Sequence, residues 1–195
     1  MIVVPYYDLI LIPEVTYYFK GDYLADLLGQ KPRKDEKLLF VMVRSEKKRE
    51  NITADDLYPI GVTATIGDVE EENCEVLTHT RVTLDTVEVH EGEIEVTYAE
   101  RPTEIDVTPE QQKERFEGIR NALIRFVNGF PWGMMAKNYI RHWKTMDEMG
   151  AAMSQHLNIS NEEKYKILEA DTLSERHTLI ERAVFEMIEM TRVGK

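Results

Sequence analysis

The chain has 195 residues and a mass of 22.7 kDa, enough for one medium domain or two small lobes with a real hydrophobic core. Its 24 basic and 36 acidic side chains leave a net charge of −12, which opposes capture of nucleic acid or of an anionic membrane surface. Apolar residues at 43% exceed what a disordered acidic tail carries, and the single cysteine, Cys74, excludes an internal disulfide and any Cys-based zinc site.

The opening run Ile2 to Ile12 is interrupted by Pro5 and Asp8 and has no basic leader, so it reads neither as an export signal nor as a membrane span, which needs about 20 apolar residues. Asp22 to Leu28, closed by Gly29, predicts a short helix with an aspartate cap. Leu38-Leu39-Phe40-Val41-Met42-Val43 is a strand-like apolar run. The basic run Lys47-Lys48-Arg49 predicts an exposed loop before Thr53. Gly61 to Ile66, Glu75 to Thr80 and Val82 to Val89 add strand-like pieces, with Asp68-Val69-Glu70-Glu71-Glu72 as an acidic loop. His90-Glu91-Gly92-Glu93 then separates a hairpin partner in which Ile94, Val96 and Tyr98 share one face.

After Thr108 the period changes. Phe116, Ile119, Leu123, Phe126 and Val127 recur at helical spacing behind Thr108-Pro109-Glu110-Gln111, a cap, a first-turn proline and a box partner. Asn128-Gly129 ends that helix, and Phe130-Pro131-Trp132-Gly133 bars its continuation. Thr145 with Glu148, Ser160 with Glu163 and Thr172 with Glu175 open three more helices. The last carries the stripe Leu173, Ile180, Val184, Met187 and Ile188. Six of the seven prolines precede residue 110, and the net charge is −13 over 1–110 but +1 over 111–195. The expected fold is α+β, with a β-rich lobe at 1–108 and a helical bundle lobe at 109–195.

Residues that carry chemistry are scarce. The only Gly-Lys pair is Gly194-Lys195, so no phosphate-cradling loop is present, and no serine sits in a G-x-S-x-G elbow. His79, His90, His142, His156 and His177 never pair at the spacing that sets two metal ligands on one helical face. Cys74 lies beside Glu75 and lacks the cations that lower a thiol pKa, which suits packing. No catalytic residue, metal ligand or cofactor is expected. Seven of nine methionines lie in the second lobe. Met149, Met153 and Met187 fall on helical stripes and are expected in the core. Phe130, Pro131, Trp132, Met134 and Met135 fall in a break between helices, where an adaptable apolar surface for substrate segments is expected.

Several segments together resemble the N-terminal, substrate-binding domain of the ATP-dependent Lon proteases, found also in free-standing proteins. Val3-Val4-Pro5-Tyr6-Tyr7-Asp8-Leu9-Ile10-Leu11-Ile12-Pro13 keeps the family's two prolines and its Asp, with Tyr7 where arginine is usual. Asp56-Leu57-Tyr58-Pro59-Ile60-Gly61-Val62-Thr63-Ala64 is similar to a turn-and-strand signature in which the glycine opens a strand. Arg81 with Val82 and Leu84 resembles an arginine-bearing strand. Met149 to Leu157, Glu162 to Glu169 and Asp171 to Leu179, with the Glu175-Arg176 pair, resemble the helical subdomain. Phe19-Lys20-Gly21-Asp22 replaces the usual Val-Gly-Arg step.

The resemblance implies a PUA-like β pseudo-barrel followed by helices, and a protein-binding role without catalysis. It implies unfolded or damaged protein segments as partners, together with the ATPase and protease modules of a longer chain, in protein quality control; the cytoplasm is expected on separate ground, since a single cysteine asks for no oxidising compartment. A chain stopping before those modules is either part of a Lon protease or a free-standing relative. A second reading makes the domain a structural, homo-oligomerising one, because Arg192-Val193-Gly194-Lys195 ends in mid-pattern. An RNA role borrowed from PUA-like folds is opposed by the charge of the first lobe.

Overall fold

The apolar run Leu38 to Val43 becomes the most deeply buried strand of the protein. In the computed structural model, which describes residues 1–70, 72–90 and 92–193, β3 (Lys37–Val43) has no exposed surface from Leu38 to Met42. Alternation sends Leu38, Phe40 and Met42 into one apolar cluster and Leu39, Val41 and Val43 into another. Burial on both faces is why the run reads as continuously apolar rather than alternating. Each such side chain contributes roughly 1.5–3 kcal/mol by leaving water.

Around β3 the sheet is built from β1 (Ile2–Tyr6), which pairs with it in parallel, and β4 (Leu57–Val69), which pairs antiparallel. β5 (Asn73–His90) pairs with β4, and its outer edge carries β2 (Thr16–Lys20) at one end and β6 (Glu93–Glu100) at the other. The expected pieces 75–80 and 82–89 are thus one strand of 18 residues. Register shifts between Val41 and Val43, Val62 and Ala64, Ile66 and Val69, and Leu84 and Thr86 bend these strands, and the sheet curls into a half-barrel. Gly61 sits inside β4 rather than at its start. A Cβ there would lie 2.7 Å from the Phe40 carbonyl oxygen, so the close approach of β3 and β4 requires glycine. The β5–β6 hairpin is present with His90 opposite Glu93; Glu91 of its turn, like Glu71 of the acidic loop, lies outside the described residues.

Two local expectations are corrected. The helix α1 (Gly21–Leu28) ends at Gly29 in the left-handed region (φ 71°), but its cap is Lys20 without a side-chain bond. Asp22 lies in the first turn, where it meets the positive end of the helix. Lys47 and Lys48 are exposed, but Arg49 is half-buried and donates to the carbonyls of Leu27, Val3 and Gly92 at 2.8, 3.2 and 3.1 Å. A charge run hid a residue that ties three segments together.

Between that run and β4, the Asp56 carboxylate accepts from Lys47 Nζ at 2.5 Å and from the Thr53 backbone and hydroxyl at 2.9 and 2.8 Å. The Lys47 bond first, and then the Thr53 bonds, pull its pKa down to about 2. Because the folded value is depressed, the stabilisation is present above the ordinary Asp pKa and is lost as pH falls through about 2. A carbon-detected NMR titration is expected to place the Asp56 midpoint there, and Lys47→Ala to raise it.

The chain divides into two units: Met1–Pro102 with Ser160–Glu169, and Thr103–Ile159 with Ala170–Lys195. The first therefore includes the helix α5 (Asn161–Glu169), which belongs with the sheet. Ser160 and Glu163 form the expected reciprocal box at its start, Ser160 N donating to Glu163 Oε2 at 2.8 Å and Glu163 N to Ser160 Oγ at 3.2 Å. Tyr165 stacks on Tyr58 with centroids 3.9 Å apart. Asn161 Nδ2 donates to the Val43 carbonyl at 2.8 Å, and its Oδ1 accepts from Asp8 N at 2.9 Å. Buried Lys164 reaches Asp8 Oδ1 at 2.6 Å. Arg81, 1% exposed, donates through Nη1 to the carbonyls of Leu168 and Glu169 and through Nη2 to that of Pro102. The last-turn carbonyls of α5, which lack partners within the helix, are met by a cation.

The second unit holds α2 (Pro109–Val127), α3 (Gly133–Ile140), α4 (Met146–Met153) and α6 (Leu173–Val193). Thr108 caps α2 in a full box with Gln111, and Thr145 and Thr172 accept from the Glu148 and Glu175 amides. Glu148 returns its bond to the Lys144 amide instead of to its cap residue. Phe116, Ile119, Leu123 and Val127 of α2, Met149 and Met153 of α4, and Ile180, Val184 and Ile188 of α6 are buried. Met187, expected in the core, is only half-buried. Buried Arg176 donates to Asp147 Oδ2 at 3.1 Å and to Thr103 Oγ1 at 2.6 Å, tying α6 to α4 and to the start of the unit.

Candidate apolar binding surface

The α2–α3 corner brings together Trp132, Met134, Met135 and Tyr139, which are exposed, whereas the other large exposed apolar side chains of the second unit, Ile105, Phe185 and Met190, lie on other segments. α2 runs out at the Asn128 cap, and its chain is turned by bonds from Gly129 N to Phe126 O, Phe130 N to Val127 O and Gly133 N to Phe130 O. Pro131 cannot donate into this turn, which is why no helix runs through it. Gly133 is buried against the Val127 carbonyl, closer than any side chain would allow, and α3 starts from that contact.

On this corner Phe130 is half-buried, held edge-on to Phe126 at 5.1 Å and stacked on Trp132 at 4.8 Å with 18° between the rings. Pro131 is exposed. Trp132 is 51% exposed, Met134 80% and Met135 77%. Met134 and Met135 do not lie in a break between helices; they occupy the first turn of α3. Tyr139, four residues beyond Met135 on the same helical face, is 60% exposed and packs edge-on to buried Trp143. Tyr139 is not among the residues expected at this surface, although its i, i+4 spacing from Met135 is visible in the sequence. Two thioethers, an indole and a phenol thus stand out from a corner whose backbone is fixed by a glycine contact. Unbranched methionines can adjust to apolar groups of differing shape, while the stacked rings give a flat, rigid floor.

Cys74, His177 and His79 sit in packed or hydrogen-bonded places. Burial pushes the Cys74 thiol up, away from the reactive thiolate. His177 is buried with Nε2 3.6 Å from Asp147 Oδ1, and the His79 ring bonds to Thr65 Oγ1 at 2.8 Å. Among the described residues no group of three His, Cys, Asp or Glu side chains could hold a metal ion, and no helix is long and apolar enough to cross a membrane.

The family model of the ATP-dependent protease La (LON) substrate-binding domain matches residues 1–184. The chain belongs to that family. The Lon-type resemblance carried by Pro5 to Pro13, Asp56 to Ala64 and Arg81 is therefore borne out, and the matched region is the binding domain of such proteases, not a catalytic one. The Lon protease of Clostridium beijerinckii is 22% identical over 180 residues, covering 89% of this chain and 22% of that protein. That of Fusobacterium nucleatum is 28% identical over 197 residues, covering 94% and 25%. The chain spans about a quarter of the length of these relatives. The N-terminal domain of a Mycobacterium avium complex Lon protease is similar in structure, with a TM-score of 0.58 at 16% identity over 93% of this chain and 96% of that one. The α+β fold of the Lon domain, a curled sheet with helices, is thereby shared.

Proposed function

We propose that this Lon-type binding domain holds apolar stretches of unfolded or damaged protein on the α2–α3 corner, through Phe130, Pro131, Trp132, Met134, Met135 and Tyr139. The exposure of Trp132, Met134, Met135 and Tyr139 on one corner of the second unit is the observation that carries this reading, since side chains of this kind are ordinarily withdrawn from water. Contact is the whole mechanism: water leaves the rings and thioethers when a client segment covers them. The domain acts in the cytoplasm as the client-holding part of an ATP-dependent protease, alongside ATPase and protease modules. Modest affinity per corner suits that work, because several copies carried together in a homo-oligomer raise avidity and each can still release its client.

The test is an amide-resolved NMR titration with a permanently unfolded, carboxymethylated protein. Shifts are expected at residues 130–139 and not in β3. Met134→Asp with Met135→Asp is expected to weaken binding at least about tenfold, from the loss of two thioether contacts and the burial of charge. Both residues are exposed, so far-UV circular dichroism should be unchanged. Shifts elsewhere with none at 130–139 would refute the assignment.

A further inference from the structure

In a chain of net charge −12, residues 118–146 hold Arg120, Arg125, Lys137, Arg141 and Lys144 and no aspartate or glutamate. That stretch contains the whole apolar corner. Among the described residues, the ion pairs of the second unit join Arg115 to Glu181, Arg176 and His177 to Asp147, and Arg182 to Glu186, and none takes up these five cations. Arg120 lies over the Phe116 ring at 5.0 Å, whereas Arg125, Arg141 and Lys144 are exposed and Lys137 is half-exposed. Helical spacing puts charge and apolar surface together. Met134, Lys137 and Arg141 follow at i, i+3 and i+7, and Met135, Tyr139 and His142 at i, i+4 and i+7.

We propose that this corner selects among clients by charge, taking apolar segments flanked by aspartate or glutamate and rejecting those flanked by lysine or arginine. The inference rests on the reading of the corner as a client-binding surface and adds what it prefers. Cations without carboxylate partners beside an apolar floor gain attraction from an acidic flank, and a basic flank meets like charge. The field of a few surface cations reaches about a Debye length, roughly 8 Å at physiological salt, which is the scale of a short peptide flank. A long polyanion would extend beyond that range over a molecule of net charge −12, which disfavours nucleic acid and anionic bilayers as occupants.

The experiment uses the full chain and three fluorescein-labelled peptides that share one Phe- and Leu-containing centre and differ only in flanks of Glu, Ser or Lys. By fluorescence anisotropy in dilute salt, the Glu-flanked peptide is expected to bind about tenfold more tightly than the Lys-flanked one, with the Ser-flanked peptide between. The gap should close in about 1 M NaCl, where the Debye length falls to about 3 Å. Lys137→Glu, in the last turn of α3, with Arg141→Glu, the exposed cap just past its end, should reverse the order. Equal binding of the Glu- and Lys-flanked peptides overturns the charge preference and leaves the apolar corner standing. Failure of all three to bind overturns the client-binding reading itself. An oligodeoxythymidylate or phosphatidylglycerol vesicles binding more tightly than the Glu-flanked peptide would assign the corner to a polyanion and overturn the inference.

Discussion

Arg81→Met should cost roughly 3–5 kcal/mol of folding stability, measured by urea denaturation and seen as a lowered midpoint with an unchanged slope. The guanidinium is buried in β5 and supplies donors to three carbonyls, two of them from the last residues of α5. Methionine fills much of the same volume and supplies none of those donors. The carbonyls of Leu168, Glu169 and Pro102 would each lose a charge-assisted partner in a site water does not reach freely, which makes the loss larger than that of an exposed ion pair. Arg81→Lys separates charge from geometry. It keeps the cation but cannot span three acceptors with one ammonium, so an intermediate loss is expected. Amide hydrogen exchange should quicken first in α5, the element the arginine ties to the sheet. A Met variant within about 1 kcal/mol of the parent would show that the Arg81 bonds are not what holds α5 in place.

That tie also marks where the sequence was legible and where it was not. The strand Leu38–Val43 could be read because burial on both faces leaves an unbroken apolar run, and α2 because Thr108, Pro109 and Gln111 occupy the positions a capped helix needs. The period and the Ser160-Glu163 box gave α5 its helix. Neither says which neighbour a helix packs against: that is decided by Asn161, Lys164 and Tyr165, which meet Val43, Asp8 and Tyr58 more than 100 residues away in sequence. The strand Thr16–Lys20 was missed because exposed Tyr18 stands between the inward Tyr17 and Phe19, and three aromatic residues in a row hide the alternation. Aspartate next to a helix start suggested a cap at Asp22, yet the helix begins two positions earlier, with Lys20 as its cap, and a shift that small moves a residue from cap to first turn. For the candidate surface, the helix break at Phe130 to Gly133 was legible from Pro131 and two glycines. The helix that carries Met134 and Met135 was not, since the expected break ran on through them whereas α3 starts at Gly133.

Gly133→Ala is expected to destabilise the protein by roughly 2–3 kcal/mol and to disrupt the binding corner with it. The added Cβ would fall inside the van der Waals shell of the Val127 carbonyl and would also crowd the Cα of Asn128 at 3.3 Å. Both obstacles are backbone, so no rotamer change relieves them and α3 must move off the end of α2. Trp132 precedes the glycine and Met134 and Met135 follow it, so such a shift alters the spacing of indole and thioethers over the Phe130 ring. Two other glycines supply internal controls. A Cβ at Gly129 would meet the Phe126 carbonyl at an ordinary 3.5 Å, so alanine is tolerated there. Gly118 lies in mid-helix with open space around it, and Gly118→Ala should stabilise by about 0.5–1 kcal/mol through helix propensity alone. Thermal denaturation should therefore order the three alanine variants Gly118, Gly129, Gly133 from most to least stable. Only Gly133→Ala should change the emission of exposed Trp132 and the affinity for unfolded protein. If Gly133→Ala melts with the parent and binds as tightly, the corner is not held by that close approach, and its exposed side chains owe their placement to something else.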